Sequence, residues 1–223
     1  MSWHWEKLGR IYCPGEHGRH AKLLTHAANP LPVQLEGDVY RIYYSGRDER
    51  SRSSVGAVDI DIVRRQVVRD HAQPFFVHGP DGSFYADGVS IGNCYVAYGK
   101  RYMLFMGWQS PPGLHWRGDI GRLEVHRDLT LSLDGAGPFM ASDGMDPVSL
   151  SYPWVIVDAA GSYSMWYGST VSWNAGNGEM LHVINYATSM DGQRWKREGL
   201  AVPYELGHAQ AFSRPTVALD AQG

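Results

Sequence analysis

Apolar positions in this chain come in short runs that alternate with polar ones, and the runs are broken by glycine, proline and Asp-Gly pairs. No segment holds an apolar period of about 3.6 residues over three turns, so the pattern predicts strands and turns with almost no helix. The strand-like runs also repeat. "YRIYYSG" begins at Tyr40, "YMLFMGW" at Tyr102 and "YSMWYGS" at Tyr163, in steps of 62 and 61 residues. "VGAVDID", "IGRLEVH" and "INYATSM" follow from Val55, Ile120 and Ile184, in steps of 65 and 64. Pro74, Pro138 and Pro203 keep the same spacing at 64 and 65. Another apolar run precedes each tyrosine strand, with anchors at Pro32, Asn93, Pro153 and Pro215.

Several phases sharing one period define a unit of four strands in about 60 residues, which is the sequence form of a propeller blade. A β-sandwich with accidental internal similarity is the alternative. The predicted fold is therefore all-β: one propeller domain over residues 1–223 with blades at 26–76, 87–140 and 146–204. Residues 208–223 would open a fourth blade. "WEKLGRIYCP" resembles the later "WKREGLAVP", so residues 1–14 are expected to form an orphan outer strand. On this reading the chain is an incomplete ring with a truncated C-terminus, and self-association through uncovered blade faces is expected.

Composition narrows the function. Charged residues make up 19% of the 223 residues and the formal net charge is −3, which argues against a nucleic-acid partner. No apolar run is long enough for a membrane span, and the first residues hold no signal-like apolar segment. Cys13 and Cys94 are isolated from one another, so neither a zinc site nor a disulfide framework is indicated, and a cytoplasmic location is the default. The 8 Trp and 13 Tyr supply aromatic faces, although such residues usually pack in cores.

The stretches "HAANPLPVQLEGDVYRIYYSGRD", "FYADGVSIGNCYVAYGKRYMLFMGW", "YATSMDGQRW" and "FSRPTV" together resemble the five-bladed β-propeller glycosidase superfamily, which includes arabinanases, invertases and mannoside phosphorylases. The likeness is greatest to a glycosidase-like branch that occurs with polysaccharide genes. It implies a carbohydrate ligand and glycoside hydrolysis by two carboxyl groups that flank the scissile bond. A non-catalytic sugar-binding or scaffolding propeller is the alternative. The resemblance implies no obligatory cofactor, though a calcium ion in the funnel occurs in some relatives. Asp87 is the carboxylate that carries over, with Asp146 or Glu205 as its candidate partner. The first-blade motif "THAANPLP" holds His26 and no aspartate, and Gln210 stands where relatives place a glutamate. His26, Arg47, Trp108, His208, Gln210 and Arg214 are the candidate substrate-binding residues.

Overall fold

The computed structural model describes residues 4, 6–14 and 20–219. Twelve strands and no helix are found among them. The first unit runs β1 (Thr25–Glu36), β2 (Val39–Arg47), β3 (Ser53–Asp61) and β4 (Gln66–Asp70). The second runs β5 (Gly88–Ala97), β6 (Lys100–Gln109), β7 (Arg117–Val125) and β8 (Leu131–Leu133). The third runs β9 (Ser149–Val157), β10 (Tyr163–Ser172), β11 (Leu181–Ser189) and β12 (Lys196–Leu200).

Each unit is an antiparallel meander, and the expected pairing of the tyrosine strand with its successor is present, with Tyr40 opposite Ile60 and Ser45 opposite Val55. A single parallel bridge between Ser53 and Gly88 joins the first two units. Short loops suffice because consecutive strands are neighbours, as expected of four-stranded blades.

The units pack face to face, and the apolar half of each strand fills the gap between them. Tyr43, Val55, Ile91, Met103, Phe105 and Leu123 make one core, between the first and second units. Leu104, Ile120, Leu150, Met165 and Tyr167 make the next, between the second and third. Strands β3 and β7 are buried almost end to end, so their sequences lack a clean alternation.

The innermost strands β1, β5 and β9 leave one edge of backbone groups unpaired within their own units. The neighbouring unit satisfies them. Asn93 of β5 donates from Nδ2 to the Val155 carbonyl at 2.8 Å and accepts from the Val155 N–H at 2.8 Å. The Ser45 hydroxyl of β2 accepts from the Ile91 N–H at 3.2 Å. Buried backbone groups must be paired, so these side chains fix how adjacent units sit.

The "SMDGQRW" turn is a second joint. The N–H groups of Arg194 and Gln193 both donate to Asp191 at 2.8 Å and hold its carboxyl well below the usual carboxylate range. The turn then presents the Gly192 carbonyl to Tyr95 Oη of the second unit at 2.8 Å.

All three innermost strands carry a register break at the same place. It lies between Ala28 and Leu31 in β1, between Ile91 and Cys94 in β5, and opposite Trp166 and Gly168 in β9. Each break leaves two residues facing one, the pattern of a β-bulge that turns a side chain out of the ladder. Asn29 and Tyr152 sit in these bulges with φ of 54° and 42°, a left-handed conformation that is costly for residues other than glycine.

At the ends of the chain the described residues hold no strand, and residues 1–3 and 5 of the expected outer strand lie outside them. Among residues 4 and 6–14 no strand forms; instead Tyr12 docks on the first unit, with Oη 3.1 Å from Asp70 Oδ1. The expected strand over 208–223 is likewise not formed in the described part, and residues 220–223 lie outside it. Residues 210–217 run as an irregular segment along the third unit. There the His182 N–H donates to the Gln210 carbonyl and Trp154 Nε1 donates to the Val217 carbonyl. Without a facing strand, the segment has no ladder to set its register.

Candidate functional site

Where the three units converge, a cavity of about 480 Å³ opens. It is lined by Arg47 from β2, Ser90 from β5, Trp108 from β6, Ser151 and Tyr152 from β9, His182 from β11 and Phe212 from the C-terminal segment, together with Trp116. Every unit contributes to it.

Aromatic faces dominate one side. Trp108 uses its only donor on Ser53 Oγ at 3.1 Å, which fixes the indole and leaves its face to the cavity. Trp116 meets Trp173 edge to face at 4.9 Å, and His115 stacks on Trp173 at 4.7 Å. Loops from the second and third units thereby build a common aromatic wall. The bulge in β9 supplies Tyr152, which explains why strain is tolerated at that residue.

The polar side is hydroxyl-rich. His182 is buried, with Nε2 3.0 Å from Ser151 Oγ and Nδ1 2.8 Å from Thr170 Oγ1. A neutral imidazole donates through one nitrogen and accepts through the other, and both hydroxyls can match it. Gly168 makes this approach possible: a Cβ there would lie 2.3 Å from Ser151 Oγ and 2.4 Å from His182 Nε2.

Burial lowers the His182 pKa to about 4, from an ordinary value of 6.5. The unfolded chain therefore takes up a proton near pH 6.5 that the folded chain refuses until about pH 4. Stability is full above pH 6.5, falls as the pH drops from 6.5 to 4, and is flat in this respect below that. The loss is up to about 3 kcal/mol. Urea unfolding at stepped pH should show this slope, and His182→Gln should flatten it. An unchanged slope in the variant would remove His182 from the account.

Of the sequence-predicted residues, Arg47 and Trp108 line the cavity. Asp87 sits at the start of β5, beside Trp108. Its N–H donates to the Trp108 carbonyl at 3.0 Å, and its Oδ2 accepts from the Ser110 N–H at 2.6 Å. Arg214 lies deeper, behind the lining residue Ser213. It donates to Gly92 O at 3.2 Å and Asn29 Oδ1 at 3.4 Å, so it reaches the bulges of two innermost strands.

The others stand elsewhere. Asp146, expected at the mouth, is 0% exposed. Its Oδ2 accepts from Tyr167 Oη at 2.9 Å and pairs with Arg197 at 2.6 Å, while Oδ1 accepts from Asn185 at 2.7 Å. The strand positions around it point donors inward, so the carboxylate is drawn into the interior as a structural anion. Glu205 and His208 are exposed in a tight loop closed by the Glu205–Ala209 bridge, and neither lines the cavity. Gln210 is buried and ties that loop to the 177–180 loop through Asn177 and the Met180 carbonyl. His26 is exposed on β1 at φ 65° and contacts Thr25.

Sequence reasoning passed over Tyr152, Ser151 and His182. The Tyr152-Pro153 pair was the available signal, since it repeats the X-Pro step of Asn29-Pro30 and Arg214-Pro215. Among the described residues no group of three or more His, Cys, Asp or Glu stands together at the spacing of a metal site.

No family model matches the chain. The uncharacterized protein Rv1502 of Mycobacterium tuberculosis is 40% identical over 219 residues, covering 97% of this chain and 72% of that protein. Among solved structures, the sucrose-6-phosphate hydrolase of Lactobacillus gasseri superposes over 86% of this chain with a TM-score of 0.62 at 14% identity. Fructan 1-exohydrolase IIa of Cichorium intybus superposes over 87% with a TM-score of 0.58, also at 14% identity. The chain spans 37% and 35% of those two structures. At such identities the likeness shows the fold alone.

Proposed function

The chain belongs to the family of the mycobacterial protein Rv1502 and has the fold of the glycosidase-like β-propellers, and on that premise we propose that its funnel cavity binds a carbohydrate. One observation carries this reading: indole and phenol side chains, with Trp108 held by Ser53, line a single cavity together with serine hydroxyls. Sugars present apolar C–H faces and a rim of hydroxyls. A wall of Trp108, Trp116 and Tyr152 suits the first, and Ser90, Ser213 and the Arg47 guanidinium suit the second.

Recognition is favoured over cleavage by the placement of the acids. Hydrolysis needs two carboxyl groups about 5–10 Å apart across the scissile bond. Asp87 adjoins the cavity, whereas Asp146 is sealed into an ion pair and Glu205 belongs to an exposed loop. Asp87 beside Trp108 is the observation that favours hydrolysis as a second reading. In that case Asp87→Asn abolishes turnover of aryl glycosides by the parent chain. On the binding reading the parent shows no such turnover and the variant keeps its sugar affinity.

The direct test of binding is titration with a panel of oligosaccharides, followed by tryptophan fluorescence. Trp108→Ala should weaken any observed affinity at least about tenfold, or about 1.4 kcal/mol. Trp108→Phe, which retains a stacking face, should recover most of it. Unaltered affinity in Trp108→Ala would place the ligand outside this cavity.

A further inference from the structure

We propose that the sugar taken by this cavity carries an anionic group, a carboxylate or a phosphate, and that Arg47 receives it. The inference rests on the carbohydrate reading above and adds the substrate class.

Arg47 is the one side chain of fixed charge among the residues that line the cavity. Among the described residues no carboxylate pairs with it. Its neighbour Asp48 is spent on Arg52 at 2.8 Å, with Lys22 and His78 close by at 3.9 and 3.7 Å. Asp87, two strands away across Ser53, gives Oδ2 to the Ser110 N–H. Three other arginines that face the interior find acids, Arg41 with Asp59, Arg122 with Asp134 and Arg197 with Asp146, while Arg214 does not. A half-buried arginine left unpaired beside a cavity stands out against those three pairs.

Arg214 adds to the field from behind the cavity floor. Its partners are a carbonyl and an amide oxygen, its Nε is buried without a partner, and its guanidinium lies 5.9 Å from the Trp154 ring centroid. His182 stays neutral and contributes no charge. Two guanidinium groups without an acid partner among the described residues thus stand at or behind the cavity wall, against the Asp87 carboxylate that adjoins it beside Trp108. A guanidinium binds carboxylate and phosphate through paired, charge-assisted hydrogen bonds. A neutral sugar would leave Arg47 partly desolvated and without a counter-ion, which is unfavourable.

The test uses matched pairs with the 223-residue chain: glucuronate against glucose, and glucose 6-phosphate against glucose, with inorganic phosphate as a third probe. Isothermal titration calorimetry is the readout. The charged member should bind at least about tenfold tighter than its neutral parent at low salt, with the advantage shrinking as salt rises from about 50 to about 500 mM. Which pair shows the larger ratio separates the carboxylate from the phosphate. Arg47→Gln should abolish the preference for the charged member, and Arg47→Lys should keep part of it. Equal binding of charged and neutral members, lost in Trp108→Ala, would overturn the proposal and leave the carbohydrate reading intact. Binding of inorganic phosphate with no sugar bound would overturn both. Absence of binding by any charged probe would also overturn the proposal.

Discussion

Asp146→Ala is expected to destabilise the protein by about 3–5 kcal/mol, because it strips a buried cation of its partner. Arg197 has a side chain only 13% exposed and lies 2.6 Å from Asp146. Its second partner, Asp143, is half exposed, and solvent screens that contact. Tyr167 and Asn185 lose their acceptor in the same substitution. Burial and this anion already push the Tyr167 hydroxyl well above the usual phenol range, so the proton stays on the tyrosine and the bond is a neutral donor to a carboxylate. Asp143→Ala, by contrast, should cost about 1 kcal/mol or less. Urea unfolding midpoints of the two variants separate the roles. A catalytic carboxylate can usually be removed at little cost in stability, so a change below about 1 kcal/mol for Asp146→Ala would return Asp146 to the catalytic candidates.

Asn93→Leu is the second large effect. It leaves the Val155 N–H and carbonyl without partners in a position that water does not reach, since Asn93 is 6% and Val155 3% exposed. Each unsatisfied buried group costs about 1–3 kcal/mol, so a loss of about 2–6 kcal/mol is expected for the two. Leucine is close to asparagine in size, so a cavity contributes little. The damage should concentrate at the joint between the second and third units. Hydrogen exchange should show faster opening of β5 and β9 than of β2 and β3. Uniform acceleration across all three units would mean that Asn93 has no special part in docking them.

The fold was legible because its signal is repeated. Strands of alternating or continuous apolar residues, spaced by one period, specify a four-stranded meander whatever the individual side chains do. The site was harder to read, and the reason is physical. A carboxylate in an Asp-Gly or Asp-Pro loop looks the same whether it faces solvent, a ligand or an arginine 51 positions later in the chain. Burial decides between these, and burial depends on partners distant in sequence.

The register of the first unit shows a similar limit. Its motif "NPLP" holds two prolines, and spacing alone selected Pro32. The bulge between Ala28 and Leu31 instead makes Asn29-Pro30 the counterpart of Tyr152-Pro153. Arg47 and Trp108, both among the candidates, stand at the ends of strands that reach the cavity. His182 was missed because a histidine within a strand rich in apolar residues reads as core.

Glycine records one constraint that no apolar pattern carries. A Cβ at Gly92 would lie 2.2 Å from the Pro153 carbonyl and 3.1 Å from that of Leu104, both rigid backbone. The innermost strands of the second and third units can come together only at that residue type, and this contact brings Ser90 and Tyr152 to the same cavity.

The central claim is that this cavity is where a carbohydrate binds, and a crystal structure of the chain soaked with a sugar-probe mixture tests it most directly. The account predicts a pyranose or furanose ring against the indole of Trp108 or Trp116, its hydroxyls within hydrogen-bond distance of Ser90 or Ser213, and any acidic substituent on Arg47. A ring seated on another surface, with the cavity holding only water at saturating sugar, would contradict it.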